Sequence, residues 1–234
     1  MRIDLHVHTA ASHDGLMKPR GIIKTAIKRG LDGIAVTDHN TFSGVEAVVK
    51  AAPEGFLVIP GVEFSTDMGH VLALFIGGDV TDGIERDAKG RVGLSALSRA
   101  VRGAGGLLIA AHPFHGRAEL PAELDSLVDG METHNSREMA RDPRSVERVL
   151  GAAGGLWTSG GSDAHLYAEL GRAYTILPDG ADARESLRAG LGVPGGKAAG
   201  ILCLAAGKLY RRVKRYERSV LRTFAKGKQK RKAD

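Results

Sequence analysis

A chain of 234 residues, 43% hydrophobic and 26% charged, is long enough for one domain with a sizeable core. No apolar run approaches the roughly 20 residues that cross a bilayer, the N-terminus has no basic stretch followed by an apolar one, and the single cysteine, Cys203, excludes an internal disulfide. A reducing, cytoplasmic setting is therefore expected, with any metal held by His and carboxylate rather than thiolate. The net charge of +6 hides a division, because residues 197–234 carry 13 Lys and Arg against Glu217 and Asp234, a net of +11, leaving −5 on the rest.

The chain opens on a predicted strand, Ile3 to His8, in which Asp4, His6 and His8 alternate with Ile3, Leu5 and Val7. Side chains two apart share a strand face, so two imidazoles about 7 Å apart can close on one ion. The loop HTAASHDG follows, then a helix over Pro19 to Arg29 with Ile22, Ile23, Ala26 and Ile27 on its apolar face. Gly33 to Asn40 reads as a buried strand ending in Asp38 and His39, and Val45 to Ala52 as a short helix. FLVIPGVEFS is a strand carrying Glu63, and HVLALFI another that starts at His70. Gly77 to Arg91 is polar and Gly-rich, a loop; Leu94 to Gly103 is a helix. LLIAAHPFH forms a strand with His112 at its end, Val128 to Asn135 one ending METHN, and LWTSGGSDAH, after a helix over Pro143 to Ala153, one running into Asp163 and His165. Arg172 to Leu177 is a last short strand and Ala183 to Gly190 a short helix. At least seven apolar strands alternating with helices argue for a parallel sheet.

In a parallel barrel the C-terminal strand ends converge, and here they deliver His6, His8, Asp14, His39, Glu63, His70, His112, Asp163 and His165. Nine such groups crowded together repel and desolvate one another unless cations hold them. Nitrogen and oxygen donors suit Mn²⁺, Zn²⁺ or Fe²⁺, and nine ligands are the right number for two or three divalent ions. His13 is an alternative to Asp14 in the same loop.

The ordered set DLHVHT with S-H-D-G behind it, VTDHN, GVEFS, GHVLAL, AAHPF, METHN and GSDAH resembles the PHP (polymerase and histidinol phosphatase) family of metal-dependent phosphoesterases, and GRAYTIL is similar to the family's next strand. The resemblance implies a distorted (β/α)7 barrel with a trinuclear site. By motif, His6, His8, Glu63 and Asp163 would hold one ion, Glu63 would bridge to a second held by His70 and His112, and Asp14, His39 and His165 would take the third. The implied reaction is hydrolysis of phosphate monoesters by a metal-activated hydroxide, without a covalent intermediate.

Around these ligands, Asp4 and Asp38 are expected to accept imidazole N–H groups, Glu132 and Asn135 to shape the pocket floor, and Asp38 and His115 to assist catalysis. Arg117 and Arg137, with Arg141 beside them, are candidates for binding substrate phosphate. A barrel over residues 1–195 is expected to precede a basic amphipathic helix over Lys208 to Lys226, in which Leu209, Val213, Tyr216, Val220 and Phe224 form a stripe. That tail admits packing on the barrel, nucleic-acid phosphates or an anionic membrane surface as its role. It keeps an exonuclease reading open beside the small phosphorylated substrate. An amidohydrolase barrel also begins with HxH, but no lysine stands in any of these motifs to bridge metals. A non-enzymatic metal-binding module would be expected to have lost ligands, and none of the nine is missing.

Overall fold

The computed structural model describes residues 1–210, 212 and 213. Its elements in chain order are β1 Arg2–Val7, α1 Pro19–Lys28, β2 Gly33–Val36, α2 Val45–Val49, β3 Leu57–Thr66, β4 Gly69–Leu74, α3 Leu94–Gly103, β5 Leu107–Ala110, α4 Leu124–Leu127, β6 Gly130–Asn135, α5 Ser136–Arg141, α6 Ser145–Ala152, β7 Trp157–Gly161, β8 Ala173–Ile176, α7 Ala183–Arg188 and β9 Val193–Gly196. Pro19 starts α1 where its missing N–H costs nothing, and Ile22, Ile23 and Ala26 are buried beneath it. Ile27, expected on that apolar face, is instead 48% exposed. It lies 100° from Ala26 around the helix, at the margin of a stripe that three residues already fill.

The strands form one sheet in the order β7-β6-β5-β4-β3-β2-β1-β8-β9. Past β7, Ala164 forms a parallel bridge to Val7 and accepts the His8 N–H at 3.0 Å, so the sheet curls round until its first and last parallel strands meet. The result is the expected distorted barrel, nearly closed. It is mixed rather than all parallel: β1, β2 and β3 run parallel, as do β5, β6 and β7, but β4 is antiparallel to both its neighbours, and β8 and β9 are antiparallel additions. The reason for β4 is the connection. Only Asp67 and Met68 separate it from β3, which makes a hairpin, whereas a parallel return needs a crossover of a dozen or more residues. Gly69 completes that turn at φ 123°, a conformation that side chains oppose.

Three apolar clusters fill the fold, one of them gathering Val7, Met17, Ile22, Ile34, Val36 and Leu170. A second gathers Ile3, Leu5, Ile59, Leu72, Leu74 and Ile109, and a third Phe64, Val71, Leu97, Val101, Leu108 and Met131. Strand β9 and the short helices α4 and α5 were not expected from the sequence. The barrel's contacts run past β9, because Ala199 is buried and its N–H donates to the Ser136 carbonyl at 2.6 Å. Residues 201–210 are helical, ahead of where the basic helix was expected; the remainder of that Lys208 to Lys226 helix, beyond residue 213, lies outside the described residues. No helix among the described residues is long and apolar enough to cross a membrane.

Leu108 is fully buried in β5, the strand that leads to His112. Leu108→Ala should cost about 2–5 kcal/mol of stability, read from the midpoint of urea unfolding. A loss below that range would mean that the neighbouring side chains close the cavity.

Candidate metal centre

The site is built outward from Glu63, a fully buried carboxylate in β3. Its Oε2 lies 2.9 Å from His39 Nδ1, 3.3 Å from His8 Nε2 and 3.4 Å from His6 Nε2. Its Oε1 lies 2.8 Å from His70 Nδ1 and 3.0 Å from His112 Nε2. Asp163 adds a second carboxylate 3.5 Å from His8 Nε2 and 3.8 Å from His6 Nε2. Asp14 adds a third, 3.0 Å from His165 Nε2 and 3.7 Å from His39 Nε2. All nine residues singled out from the sequence therefore meet in one place. Of the two loop candidates, Asp14 faces the cluster with 6% exposure, while the His13 side chain is 56% exposed.

Four subsets each place their donor atoms within 4.8 Å of one another: His8, Asp14, His39 and His165; His6, Glu63 and His112; His6, His8 and Asp163; and His39, Glu63 and His70. They share members, so the donors form a continuous wall rather than three separate cups. The bare protein leaves this wall unbalanced. His6 and His8 bring their Nε2 atoms within 3.1 Å of each other, and His8 Nδ1 and Glu63 Oε2 are buried without a hydrogen-bond partner. Orphaned buried donors around a carboxylate fit a divalent cation, which satisfies several lone pairs at once.

The electrostatics say the same. Burial pushes the Glu63 carboxyl up, but the imidazoles of His39 and His6 hold it well below the usual carboxylate range. Asp163 is likewise raised by burial and brought well below its ordinary value by His6, His8 and Arg137. Burial opposes charge on His6, yet Glu132, Glu63 and Asp163 leave it raised well above its ordinary value. His39, pushed down by burial, is raised by Glu63 and Asp14 to about 10. His112, also disfavoured by burial, is raised by Glu63. His8 goes the other way, lowered by burial and then by His165 and His39. Protons on the imidazoles thus stand in for the positive charge this set of carboxylates demands.

The supporting residues differ from expectation. Neither Asp4 nor Asp38 accepts an imidazole N–H. Asp4 takes the backbone N–H groups of Ser162 at 2.8 Å and Gly171 at 2.7 Å, and Asp38 takes the Thr9 N–H and hydroxyl, both at 2.7 Å. Each braces a ligand-bearing loop through its main chain, and Asp38, fully buried, is not placed for catalysis. The imidazole partner is Glu132: its Oε1 is 3.0 Å from His6 Nδ1, while its Oε2 accepts from the His112 N–H at 2.9 Å and from Asn135 Nδ2 at 2.8 Å. Arg137 is 1% exposed, with Nη1 donating to His165 Nδ1 at 2.7 Å and lying 3.4 Å from Glu169 Oε2, so it lies behind the cluster rather than in an open groove. Glu169 also accepts the His165 N–H at 2.9 Å. It stands in the plain stretch LYAEL, where nothing in the sequence marks it.

The backbone is bent to fit. His112 and Asp163 have φ of 30° and 54°, and Asn40, next to His39, has φ of 52°. Such conformations cost roughly 1–3 kcal/mol each and persist where the surroundings over-determine them. A Cβ on Gly161 would stand 2.5 Å from the His6 Cβ, so only glycine lets β7 approach β1 here.

Beside His112 a concavity of about 350 Å³ opens, lined among others by Phe114, His115, Arg117, Glu138 and Arg141. His115 is half exposed with Nδ1 2.8 Å from Glu138 Oε1, and its ring centre lies 5.5 Å from that of His112. Arg117 Nη1 donates to the Met68 carbonyl at 2.7 Å, which sets its guanidinium at the groove's edge. His134 is not in the cluster; its Nδ1 lies 3.1 Å from Thr133 Oγ1.

The sequence model of the PHP domain matches residues 4–228. An uncharacterised protein of Methanocaldococcus jannaschii is 31% identical over 149 residues, 58% of this chain and 82% of that protein. A 5'-3' exoribonuclease of Haemophilus influenzae is 39% identical over 67 residues, 28% of this chain. The match spans only 24% of the ribonuclease's own length. Among solved structures, a two-domain protein of Bacteroides vulgatus containing a predicted PHP-like metal-dependent phosphoesterase superposes with a TM-score of 0.65. That superposition covers 84% of this chain and 65% of the other at 20% identity, a likeness of fold.

Two outcomes test the cluster. Glu132→Gln should weaken divalent-metal affinity about 10–100-fold with little change in fold, measured by competitive chelator titration. Because burial opposes charge on His6, His39 and His112 but the carboxylates around them raise all three, and so favour their protonated forms in the bare site, metal uptake should release protons, and affinity should fall as pH is lowered. Calorimetry in buffers of different ionisation enthalpy reads this directly, and uptake without proton release would contradict the arrangement.

Proposed function

The chain belongs to the PHP domain family, and on that premise we propose that it is a metal-dependent phosphoesterase that hydrolyses small phosphate monoesters at the Glu63-centred cluster. The observation that carries the reading is five imidazole nitrogens within 3.4 Å of one buried carboxylate, beside a groove bearing His115 and Arg117. His6, His8 and Asp163 with Glu63 would hold one ion, Glu63, His70 and His112 a second, and Asp14, His39 and His165 a third. Mn²⁺, Zn²⁺ and Fe²⁺ all suit such donors. When bound, these ions supply an activated water nucleophile at neutral pH and fixed positive charge against the phosphoryl oxygens.

The chain's own residues do the rest. Glu132, by accepting from His6 Nδ1, keeps the His6 Nε2 lone pair turned inward. Arg137, 2.7 Å from Nδ1 of the His165 ring, and Glu169, which accepts the His165 N–H, fix the position of that residue. Arg117 at the groove's edge takes a phosphate oxygen of the substrate. As water adds to phosphorus in line and the ester P–O bond breaks, His115, held by Glu138, gives its proton to the leaving alkoxide.

A nuclease reading on the same chemistry is favoured by one observation, the 13 Lys and Arg of residues 197–234, and the ribonuclease relative is consistent with it. Metal-reconstituted protein assayed on a phosphomonoester panel beside a 5′-phosphorylated oligonucleotide decides between them. Turnover confined to small monoesters supports the first reading; preference for the oligonucleotide, falling steeply with salt, supports the second. Bound metal with no turnover of either overturns both and leaves a binding module. Within the first reading, Arg117→Ala should raise KM about tenfold while kcat changes less, and His6→Ala and Asp163→Ala should lose both metal and turnover.

A further inference from the structure

A second concavity, sharing no lining residue with the groove beside His112, lies where β1, β8 and β9 meet the C-terminal end of α1. Its volume is about 470 Å³, and its lining includes Arg2, Arg29, Arg172, Lys197 and the ring of Tyr174. Among the described residues, no acidic one lines it. Several arginines elsewhere find carboxylates, Arg91 pairing with Asp87, Arg102 with Asp129, Arg148 with Asp142 and Arg188 with Glu185. Of others, Arg86 and Arg99 donate to carbonyl and hydroxyl oxygens, and Arg117 lines the groove that also carries Glu138. Among the described residues none of the four cations here has a carboxylate within 4.0 Å. Asp32 and Asp4 are engaged by the main chain, Asp32 by the Arg2 N–H at 2.7 Å and Asp4 by the Gly171 N–H at 2.7 Å.

The guanidiniums are held in place without being neutralised. Arg29 donates to the carbonyls of Leu170 and Ala168, and Arg172 to those of Ala168 at 3.0 Å and Ala198 at 3.2 Å. Arg2 lies over the Tyr174 ring at 4.0 Å, and its Nε is buried without a hydrogen-bond partner. Burial, and then the like charge of Arg172, lower the Arg29 guanidinium from its ordinary value. Fixed arginines with free N–H groups and no carboxylate in direct contact are built to meet oxyanions. Four such charges in one concavity exceed what a single carboxylate would balance.

We propose that this concavity is an anion-binding site, separate from the metal cluster, for a ligand presenting adjacent phosphate groups. Those phosphates could belong to a free nucleotide or to a nucleic-acid strand, and Arg2, Arg29, Arg172 and Lys197 recognise what the two share. The site does not depend on which ester the metal cluster hydrolyses.

The test uses full-length, metal-loaded protein and two probes: ADP by calorimetry, where this site is a binding transition additional to the metal centre, and a labelled oligoribonucleotide with a 5′-hydroxyl end by anisotropy. Lys197 is exposed, so Lys197→Glu should keep the wild-type thermal midpoint. It should weaken at least one probe about tenfold and reduce the salt slope by about 1–2. Arg2→Gln should act in the same direction, and Lys50→Glu on the α2 surface should not. Loss of ADP alone assigns the site to free nucleotides; loss of the oligonucleotide, with or without ADP, assigns it to a strand. Unchanged binding of both probes in Lys197→Glu and Arg2→Gln, or equal weakening by Lys50→Glu, overturns the proposal.

Discussion

One buried carboxylate sets the terms for the rest of the molecule. Glu63 sits at 0% exposure with five imidazoles turned towards it, a position no carboxylate holds without compensating positive charge. Protons on the histidines or divalent ions can provide that charge. The ions do it better, because each satisfies several lone pairs that protons leave unpaired. The cost of assembling the site is therefore recovered when it fills, and the barrel must be rigid enough to hold it until then. Strands are the suitable carriers: β1, β3 and β4 bring His6, Glu63 and His70 from pleated positions whose register the core fixes on the other face.

What surrounds the donors is as constrained as the donors themselves. Glu132 touches His6 through one oxygen and the His112 backbone and Asn135 through the other, so a single side chain couples β1, β5 and β6 at the cluster. Asn135 in turn caps α5, accepting the N–H groups of Arg137 and Glu138 at 3.0 Å each, which starts the helix whose first turn delivers Arg137 to His165. The left-handed backbone at His112 and Asp163 serves the same end. Both residues lie just past strand ends, where an ordinary extended chain would carry the side chain away from the barrel axis.

Much of this is legible in the sequence, for physical reasons that can be named. His6, His8, Glu63, His70, His112, Asp163 and His165 stand out because packing alone rarely puts His or a carboxylate at the ends of so many apolar strands. The direction of β4 is readable too, since the two residues between GVEFST and GHVLAL admit only a hairpin; the alternation of strands and helices elsewhere masks it. Asp4 and Asp38 mislead because adjacency in sequence is not contact. Asp4, two before a ligand on its strand, and Asp38, directly before one just past its strand, brace the neighbouring main chain instead of the imidazole. Arg137 and Glu169 show the real limit. Thirty-two residues apart, they meet only because α5 and the loop after β7 pack together, and no local pattern carries that information.

Charge imbalance follows one logic in two places. Inside the barrel, carboxylates outnumber what the neutral imidazoles can balance, and the deficit is met by cations. On its flank, Arg2, Arg29, Arg172 and Lys197 share a concavity with no acid among its described lining residues, and the proposed anion would meet that excess. Elsewhere on the described surface, charges such as Arg102 and Asp129 cancel at short range and ask for nothing further. Unbalanced charge fixed by hydrogen bonds is costly to fold and is not relaxed by rotating a side chain away. Its persistence in two places, of opposite sign and built on different strands, points to two ligands of opposite charge rather than to one extended site.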